Sequence, residues 1–422
     1  MPHDFLNSMF TSAASVCVAG LATVVPAEQY TLFGKIVMLV LIQIGALGFI
    51  FIITAFFLIA KRKLSFKDKI NIGTALGTPE NLTNIKVLIK RIVVFTLLSE
   101  LIGAVIFGFR FIPTYGVGDG ILQSVFTSIS AFCNCGFDIL GPNSLKDFAV
   151  NHDYLVLSTC AVLTFLGSLG FIVWNELYEK HMLKVKNKLS FKKVWYMYTT
   201  HTQLTLLMTA IMIILGTISF LAIEYNNPAT LGSFEWFDKI FLSIFHGISA
   251  RTTGMVAINI SQLTNSGKLM TIILMLIGGA PGSTAGGIKT VTFAVLLLTM
   301  INNAAGNKNV NLFRKEISNE TIKQAVTIIF SALIILLVMT IILCALNPQI
   351  EFIDILFEVS SSLATCGYST GITTTLTSAS KVVLIVLMYI GRVSTVTMTM
   401  AITGKRFKQS NLINYPKAEI NI

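Results

Sequence analysis

Four short stretches of this chain end a run of small residues in glycine. They are Ser15-Val-Cys-Val-Ala-Gly20, Ser130-Ala-Phe-Cys-Asn-Cys-Gly136, Ser249-Ala-Arg-Thr-Thr-Gly254 and Ser362-Leu-Ala-Thr-Cys-Gly367. Their chemistry lies in the backbone. A ring of peptide carbonyls can replace the water shell of a monovalent cation. Glycine allows the positive φ that turns successive carbonyls the same way. The candidate ligands are the oxygens around Cys17, Val18, Ala19 and Gly20, around Asn134, Cys135 and Gly136, around Thr252, Thr253 and Gly254, and around Thr365, Cys366 and Gly367. One such loop alone would be read as a tight turn or a packing kink. The four glycines, however, are separated by 116, 118 and 113 positions. Near-equal intervals signal an internal repeat and favour a ring of dipoles around one axis.

A second chemistry lies in Gly278-Gly-Ala-Pro-Gly-Ser-Thr-Ala-Gly-Gly287, followed by Ile288 and Lys289. Its glycines and Pro281 cannot hold a continuous helix. It is not a phosphate loop, because Ile288 separates glycine from lysine and no strand precedes it. Irregular backbone inside a membrane span marks a cavity or a moving gate. Gly278, Gly279, Pro281, Gly282, Ser283, Thr284, Gly286, Gly287 and Lys289 are therefore expected to obstruct permeation until displaced; a static kink is the bland alternative. Arg392 stands alone in the apolar stretch Val382–Ile402. Such a charge usually faces a bundle interior. There it would repel a permeant cation, closing the pore or limiting throughput, unless it snorkels toward the basic C-terminal end. Glu100 is a second buried charge without a definite role, and His246 has no visible partner. Cys133-x-Cys135 lacks zinc spacing, so the cysteines are expected to be buried and unpaired.

The elements that must hold these groups follow from composition. The chain has 422 residues, 54% hydrophobic and only 12% charged. That balance excludes a soluble enzyme and a disordered chain and points to a multi-span membrane protein. Long apolar stretches run at 31–60, 86–112, 153–178, 201–224, 267–301, 321–346 and 381–404, each long enough to cross. Shorter stretches at 4–17, 120–133, 238–251 and 351–365 are too short and read as re-entrant helices leading into the glycine segments. An acidic residue, Asp4, Asp119, Asp238 or Glu351, sits 16 or 17 positions before each glycine, where a carboxylate can cap the helix N-terminus. The basic clusters Lys61–Lys69, Lys180–Lys193, Lys308–Lys323 and Lys405–Lys417 alternate with acidic loops. This is the positive-inside pattern; it puts the glycine loops toward the outside and the C-terminus in the cytoplasm. Attraction to anionic lipid explains the net charge of +11 without nucleic acid.

The fold expected is an all-α membrane protein with four membrane–pore–membrane repeats, pseudo-fourfold around one pore. The repeats cover 1–70, 71–195, 196–315 (with the interrupted second helix) and 316–422 (with the basic tail). Repeat one lacks its first helix; the chain is either truncated or built without one.

The glycine segments, the Gly278–Lys289 interruption and the Gly391-Arg392 pair resemble the Trk/Ktr/HKT superfamily of potassium transporters, and within it the membrane subunits of bacterial Ktr systems. The resemblance covers nearly the whole chain. It implies filter glycines at Gly20, Gly136, Gly254 and Gly367 that bind K+, a gating loop at Gly278–Lys289 and a pore-facing arginine at Arg392. It further implies potassium uptake across the bacterial inner membrane, often sodium-dependent and so a symport with Na+, by a homodimer with one pore per protomer. Nucleotide would act only through a cytosolic regulatory ring. Two other classes remain: a secondary transporter binding a small organic substrate at the broken helix, which predicts two inverted halves, and an intramembrane hydrolase, for which no Gly-x-Ser-x-Gly elbow is present. Neither fits four same-sense units.

Overall fold

The computed structural model describes residues 4–48, 85–307, 309–313 and 315–393. The basic cluster Lys61–Lys69, the C-terminal tail, and the parts of 31–60 and 381–404 beyond Gly48 and Val393 lie outside the described residues.

Helices α1 (Phe5–Val16), α2 (Pro26–Gln29) and α3 (Leu32–Leu47) form the first unit. The second has α4 (Ile85–Tyr115), α5 (Val117–Cys133), α6 (Lys146–Val150), α7 (Tyr154–Ser168) and α8 (Phe171–Asn187), and the short α9 (Phe191–Met197) links it to the third. The third has α10 (Thr200–Glu224), α11 (Trp236–Ser249), α12 (Asn265–Leu276) and α13 (Thr290–Ala304). The last has α14 (Asn319–Leu346), α15 (Phe352–Ala364) and α16 (Ser378–Val393). A two-residue hairpin, β1 (Asn311–Leu312) with β2 (Lys315–Glu316), precedes α14.

Polar caps start these apolar helices. Thr199 and Ser318 accept from the backbone N–H groups of Thr202 and Thr321, and Thr31, Asp153 and Thr264 do the same for α3, α7 and α12. Each supplies one of the acceptors that a helix N-terminus lacks.

Among the described residues, three helices are long and apolar enough to cross a membrane: Val87–Tyr115, Thr200–Glu224 and Asn319–Leu346. Only 33%, 28% and 28% of their most apolar windows are buried inside the protein. The remainder, including Leu101, Phe109, Ile218, Ile334 and Ile341, faces outward, as a lipid-facing surface requires. The stretch 267–301 breaks between α12 and α13 at the glycine-rich segment, as expected. The stretch 153–178, expected to be continuous, bends by 96° between α7 and α8. Hydropathy counts apolar residues and cannot tell a straight span from a bent one.

The four short helices are present as α1, α5, α11 and α15. Their carboxylates are used less uniformly than expected. Asp4 caps α1 by accepting from Leu6 N–H. Asp238 instead accepts from Tyr154 (2.5 Å) and lies 3.0 Å from His152 Nδ1. Glu351 makes no side-chain cap, and Asp354 pairs with Lys268 of α12 at 2.7 Å. These acids bind neighbouring units as often as their own helix end.

One packing rule recurs. The helix after each glycine segment packs on the short helix of the next unit: α3 on α5, α7 on α11, α12 on α15, and α16 back on α1. The chain of contacts closes.

Glu224 is fully buried at the end of α10. It accepts from Thr264 N–H (3.0 Å), Thr264 Oγ1 (2.6 Å), Thr230 Oγ1 (2.8 Å) and Asn227 Nδ2 (2.6 Å). Removing it strands buried donors. Glu224→Ala is expected to cost roughly 2–4 kcal/mol, read as a fall in the apparent melting temperature of the detergent-purified protein. Glu224→Gln, which keeps an acceptor, should lose less.

Candidate cation pathway

Three of the four short helices end in the same way. In α1, α5 and α15 the residue two before the glycine has positive φ: Val18 (56°), Asn134 (60°) and Thr365 (48°). The next N–H reaches back to Ala14 (2.8 Å), Ser130 (2.9 Å) and Ser361 (3.0 Å) respectively. This is the Schellman helix ending, and it turns the chain sharply toward the glycine. Unit three departs from it. Thr252 has no positive φ, and the N–H groups of Thr252, Thr253 and Gly254 all converge on Ser249 O.

All four glycines have positive φ, from +66° to +105°. They are neighbours. A Cβ on Gly20 would overlap the Cys135 carbonyl oxygen, and one on Gly136 would overlap that of Thr253. A Cβ on Gly254 would lie 2.5 Å from Cys366 O. A Cβ on Gly367 would lie 2.9 Å from Ala19 O, 3.1 Å from Thr253 O and 3.3 Å from Cys135 O. One small volume is thus approached by carbonyls from three units and edged by the fourth. No described residue donates a hydrogen bond to the carbonyls of Ala19, Cys135, Thr253 or Cys366.

The expected gate segment lies against the fourth glycine segment and is tied in by several hydrogen bonds. Gly278 N–H donates to Ile288 O (2.9 Å) and Ile288 N–H to Leu276 O (3.1 Å), tying its two ends. Its middle fills the bend between α7 and α8. Ala280 N–H donates to Ser168 O (2.9 Å), Thr284 N–H to Gly167 O (3.3 Å), and Phe171 N–H to Gly282 O (2.9 Å). Ser283 Oγ donates to Ala280 O, and Lys289 Nζ to Ala285 O, both at 2.6 Å. Pro281 and Gly282 lie against Gly170, and Gly286 lies against Thr365 of the fourth glycine segment.

Arg392 does not run to the basic C-terminal end. Its Nη1 donates to Thr284 O, and its Nη2 to Gly45 O (2.5 Å) and Ala46 O (2.9 Å) at the last turn of α3. A cation is favoured at a helix C-terminus. Arg251, beside the third glycine segment, is buried and donates to Gly278 O (3.2 Å). Glu100 has two neutral partners, Gln43 Nε2 (3.3 Å) and Cys133 Sγ (3.7 Å). His246 does have partners: Thr271 Oγ1 at 3.1 Å, and the rings of Phe220 and Tyr368, stacked at 3.8 and 5.3 Å. All six cysteines are unpaired.

Residues 1–410 match the family described as TrkH, cation transport protein. The chain belongs to the TrkH family. It is 36% identical over 419 residues to the potassium/sodium uptake protein NtpJ of Enterococcus hirae, covering 99% of this chain and 89% of that one. It is 32% identical over 419 residues to the Ktr system potassium uptake protein B of Bacillus subtilis, covering 99% and 90%. The crystal structure of the potassium transporter TrkH from Vibrio parahaemolyticus has the same fold, with TM-score 0.72, 15% identity, and coverage of 94% of this chain and 78% of that one.

This TrkH-family chain has a second tier of glycines, of which the sequence singled out Gly391 beside Arg392 but not Gly45 or Gly167. Gly45, Gly167 and Gly391 lie where a Cβ would overlap the carbonyl oxygens of Val16, Phe132 and Leu363, each four residues before a pathway glycine. Spacing held the signal: Gly45 and Gly391 follow Gly20 and Gly367 by 25 and 24 positions. Glu358 was also missed. It is fully buried in α15 and accepts from Thr373 Oγ1 (3.1 Å) and Ser369 Oγ, just beyond Gly367.

The second tier sets a steric test. Gly167→Ala and Gly391→Ala each force a helix about 1 Å away from a backbone oxygen. A loss of roughly 1–3 kcal/mol is expected, measured as a lower melting temperature, whereas Gly118→Ala, where a Cβ meets nothing and φ is not positive, should cause no such loss.

Proposed function

We propose that this chain is the membrane subunit of a potassium-uptake system, and that Gly20, Gly136, Gly254 and Gly367 with their preceding carbonyls form its selectivity filter, pseudo-fourfold about one pore. The observation that carries this reading is the convergence of three carbonyls from three units on one point beside Gly367, within 2.9–3.3 Å of where its Cβ would stand, the kind of dipole ring that can replace the water shell of a monovalent cation. K+ enters from the acidic outer side, exchanges water for carbonyls around Cys17–Gly20, Asn134–Gly136, Thr252–Gly254 and Thr365–Gly367, and meets the loop Gly278–Lys289 beneath. The membrane potential drives it inward with about 2.3 kcal/mol per charge per 100 mV.

The loop is the gate. Arg392 latches it by tying Thr284 O to the end of α3. A cavity of about 70 Å³ lined by Gly287, Lys289, Gly391 and Arg392 leaves space at its flank. Relatives named for potassium and for potassium/sodium uptake support K+ as cargo, with Na+ as a coupled ion. The basic cytosolic loops suit docking to a regulatory nucleotide-binding ring, and the subunit works as a homodimer with its C-terminus in the cytoplasm. An organic substrate at the broken helix is not favoured, because the polar groups of Ser283, Thr284 and Lys289 are bonded within the protein.

Two measurements test this. In a host unable to take up potassium, the chain should restore growth at low K+ and carry rubidium. Gly254→Ser, with its new side chain against Cys366 O and Tyr368 N, should weaken discrimination against Na+ about tenfold or more; unchanged selectivity would refute the filter. Deleting Gly282–Gly287, or replacing Arg392 with Ala, should raise ion flux, and a fall in both would refute the gate.

A further inference from the structure

We propose that Asn134 is a positioning residue through which the gate loop controls the selectivity of the filter. The inference rests on the filter reading above and goes beyond it: the loop not only blocks the pathway but holds one edge of the carbonyl ring in shape.

Asn134 is fully buried and caps α5 in the left-handed conformation. Its carboxamide is engaged at both ends. Oδ1 accepts from Thr253 Oγ1 at 2.7 Å. Nδ2 donates to Thr284 Oγ1 at 2.6 Å, with only a long contact of 3.4 Å to Phe132 O as a second acceptor. Thr284 Oγ1 is in turn held at 3.1 Å from Gly167 O and 3.2 Å from Phe132 O, while Arg392 grips the Thr284 carbonyl. One amide therefore joins unit two, the third glycine segment and the gate loop.

The consequence follows from what each end controls. Asn134 is peptide-bonded to Cys135, and it hydrogen-bonds Thr253. The carbonyls of Cys135 and Thr253 are two of those that approach the common point. The tie holds while ions pass: if the loop carries Thr284 away, or the Thr284 hydroxyl is removed, Nδ2 loses its short acceptor at a fully buried position. A buried donor without a partner is costly, so the carboxamide must turn, and turning gives up the bond to Thr253. Both carbonyls on that edge then lose a restraint. The equivalent positions do not do this: Val18 is apolar, Thr252 Oγ1 meets only its neighbour Thr253 Oγ1 at 3.4 Å, and Thr365 Oγ1 has no hydrogen-bond partner among the described residues. The tie is particular to the edge between units two and three, above the loop.

The test measures selectivity separately from flux. Rubidium uptake is followed in cells while Na+ is titrated as competitor. Thr284→Val removes the hydroxyl at nearly constant shape, and Asn134→Ala removes the amide. Each should lower the Na+ concentration that halves uptake by roughly three- to tenfold, the net worth of one hydrogen bond. The double variant should shift it no further than the larger single, because both break one connection. Thr284→Ser should restore the wild-type value. A plain plug predicts altered maximal flux with an unchanged Na+ midpoint, and that result would overturn the proposal; so would effects that multiply in the double variant. If Asn134→Ala fails to fold, judged by size-exclusion of the solubilised protein, Thr284→Val against Thr284→Ser decides alone. Gly254→Ser separates the two levels: if it shifts the midpoint while Thr284→Val does not, the coupling fails and the filter stands; if neither shifts, both fail.

Discussion

A backbone N–H or C=O inside a membrane must find a partner within the protein. This chain ends or breaks its helices repeatedly between the outer and inner surfaces, so it creates many open helix ends. Those ends satisfy one another. The last carbonyls of α3 take Arg392. The end of α7 takes the N–H groups of Ala280 and Thr284, and the start of α8 gives its Phe171 N–H to Gly282 O. Trp174 Nε1 covers Leu166 O at 2.8 Å. The glycine-rich interruption is therefore the filling of a gap that the α7–α8 bend opens. The carbonyls of Ala19, Cys135, Thr253 and Cys366 stand outside this scheme, with no donor among the described residues. Unpaired oxygens gathered in one place suit a partner supplied from solution, as the proposed filter requires.

Close approach is the second requirement, and it explains why glycine occupies two tiers. The upper tier brings four chain segments together at positive φ. The lower tier lets α3, α7 and α16 lie directly on the carbonyls that end the short helices. A methyl group in either tier would separate the helices from the loops they support. Small residues serve the same end elsewhere in membranes, where backbone contact replaces the hydrophobic drive.

Much of this was legible in the chain itself. The four glycine segments, their short helices to within about two or three residues, and the broken helix at Gly278–Gly287 could all be read from spacing and from helix-breaking residues. What escaped depends on partners far apart in sequence. The bend at Gly170 looks like any isolated glycine in an apolar run, because its cause is a loop more than a hundred residues away. Asp238 reads as a helix cap, and only the fold brings His152 and Tyr154 to it. The Asn134 bridge joins residues 119 and 150 positions distant. Asn beside a helix end is otherwise an ordinary C-terminal cap, so its second bond has no local signature.

One side chain beside the interruption in unit three differs in kind from its counterparts in the other units. Three positions before the pathway glycine stand Cys17, Cys133 and Ala364 in the other units, and Arg251 in this one. Small residues there leave room for the second-tier glycine to pack on the short helix. Arg251 fills that room, and its guanidinium bonds Gly278 O, the first glycine of the interruption. An intact helix would use Gly278 O for its own ladder, so that carbonyl is open to Arg251 because the helix breaks there. The same residue accompanies the altered ending of α11, where three N–H groups share Ser249 O in place of the Schellman turn. Breaking the helix frees Gly278 O for Arg251 and sends the chain across to the α7–α8 bend. The asymmetry between unit three and the others thus includes a single large cation in a place otherwise occupied by small side chains.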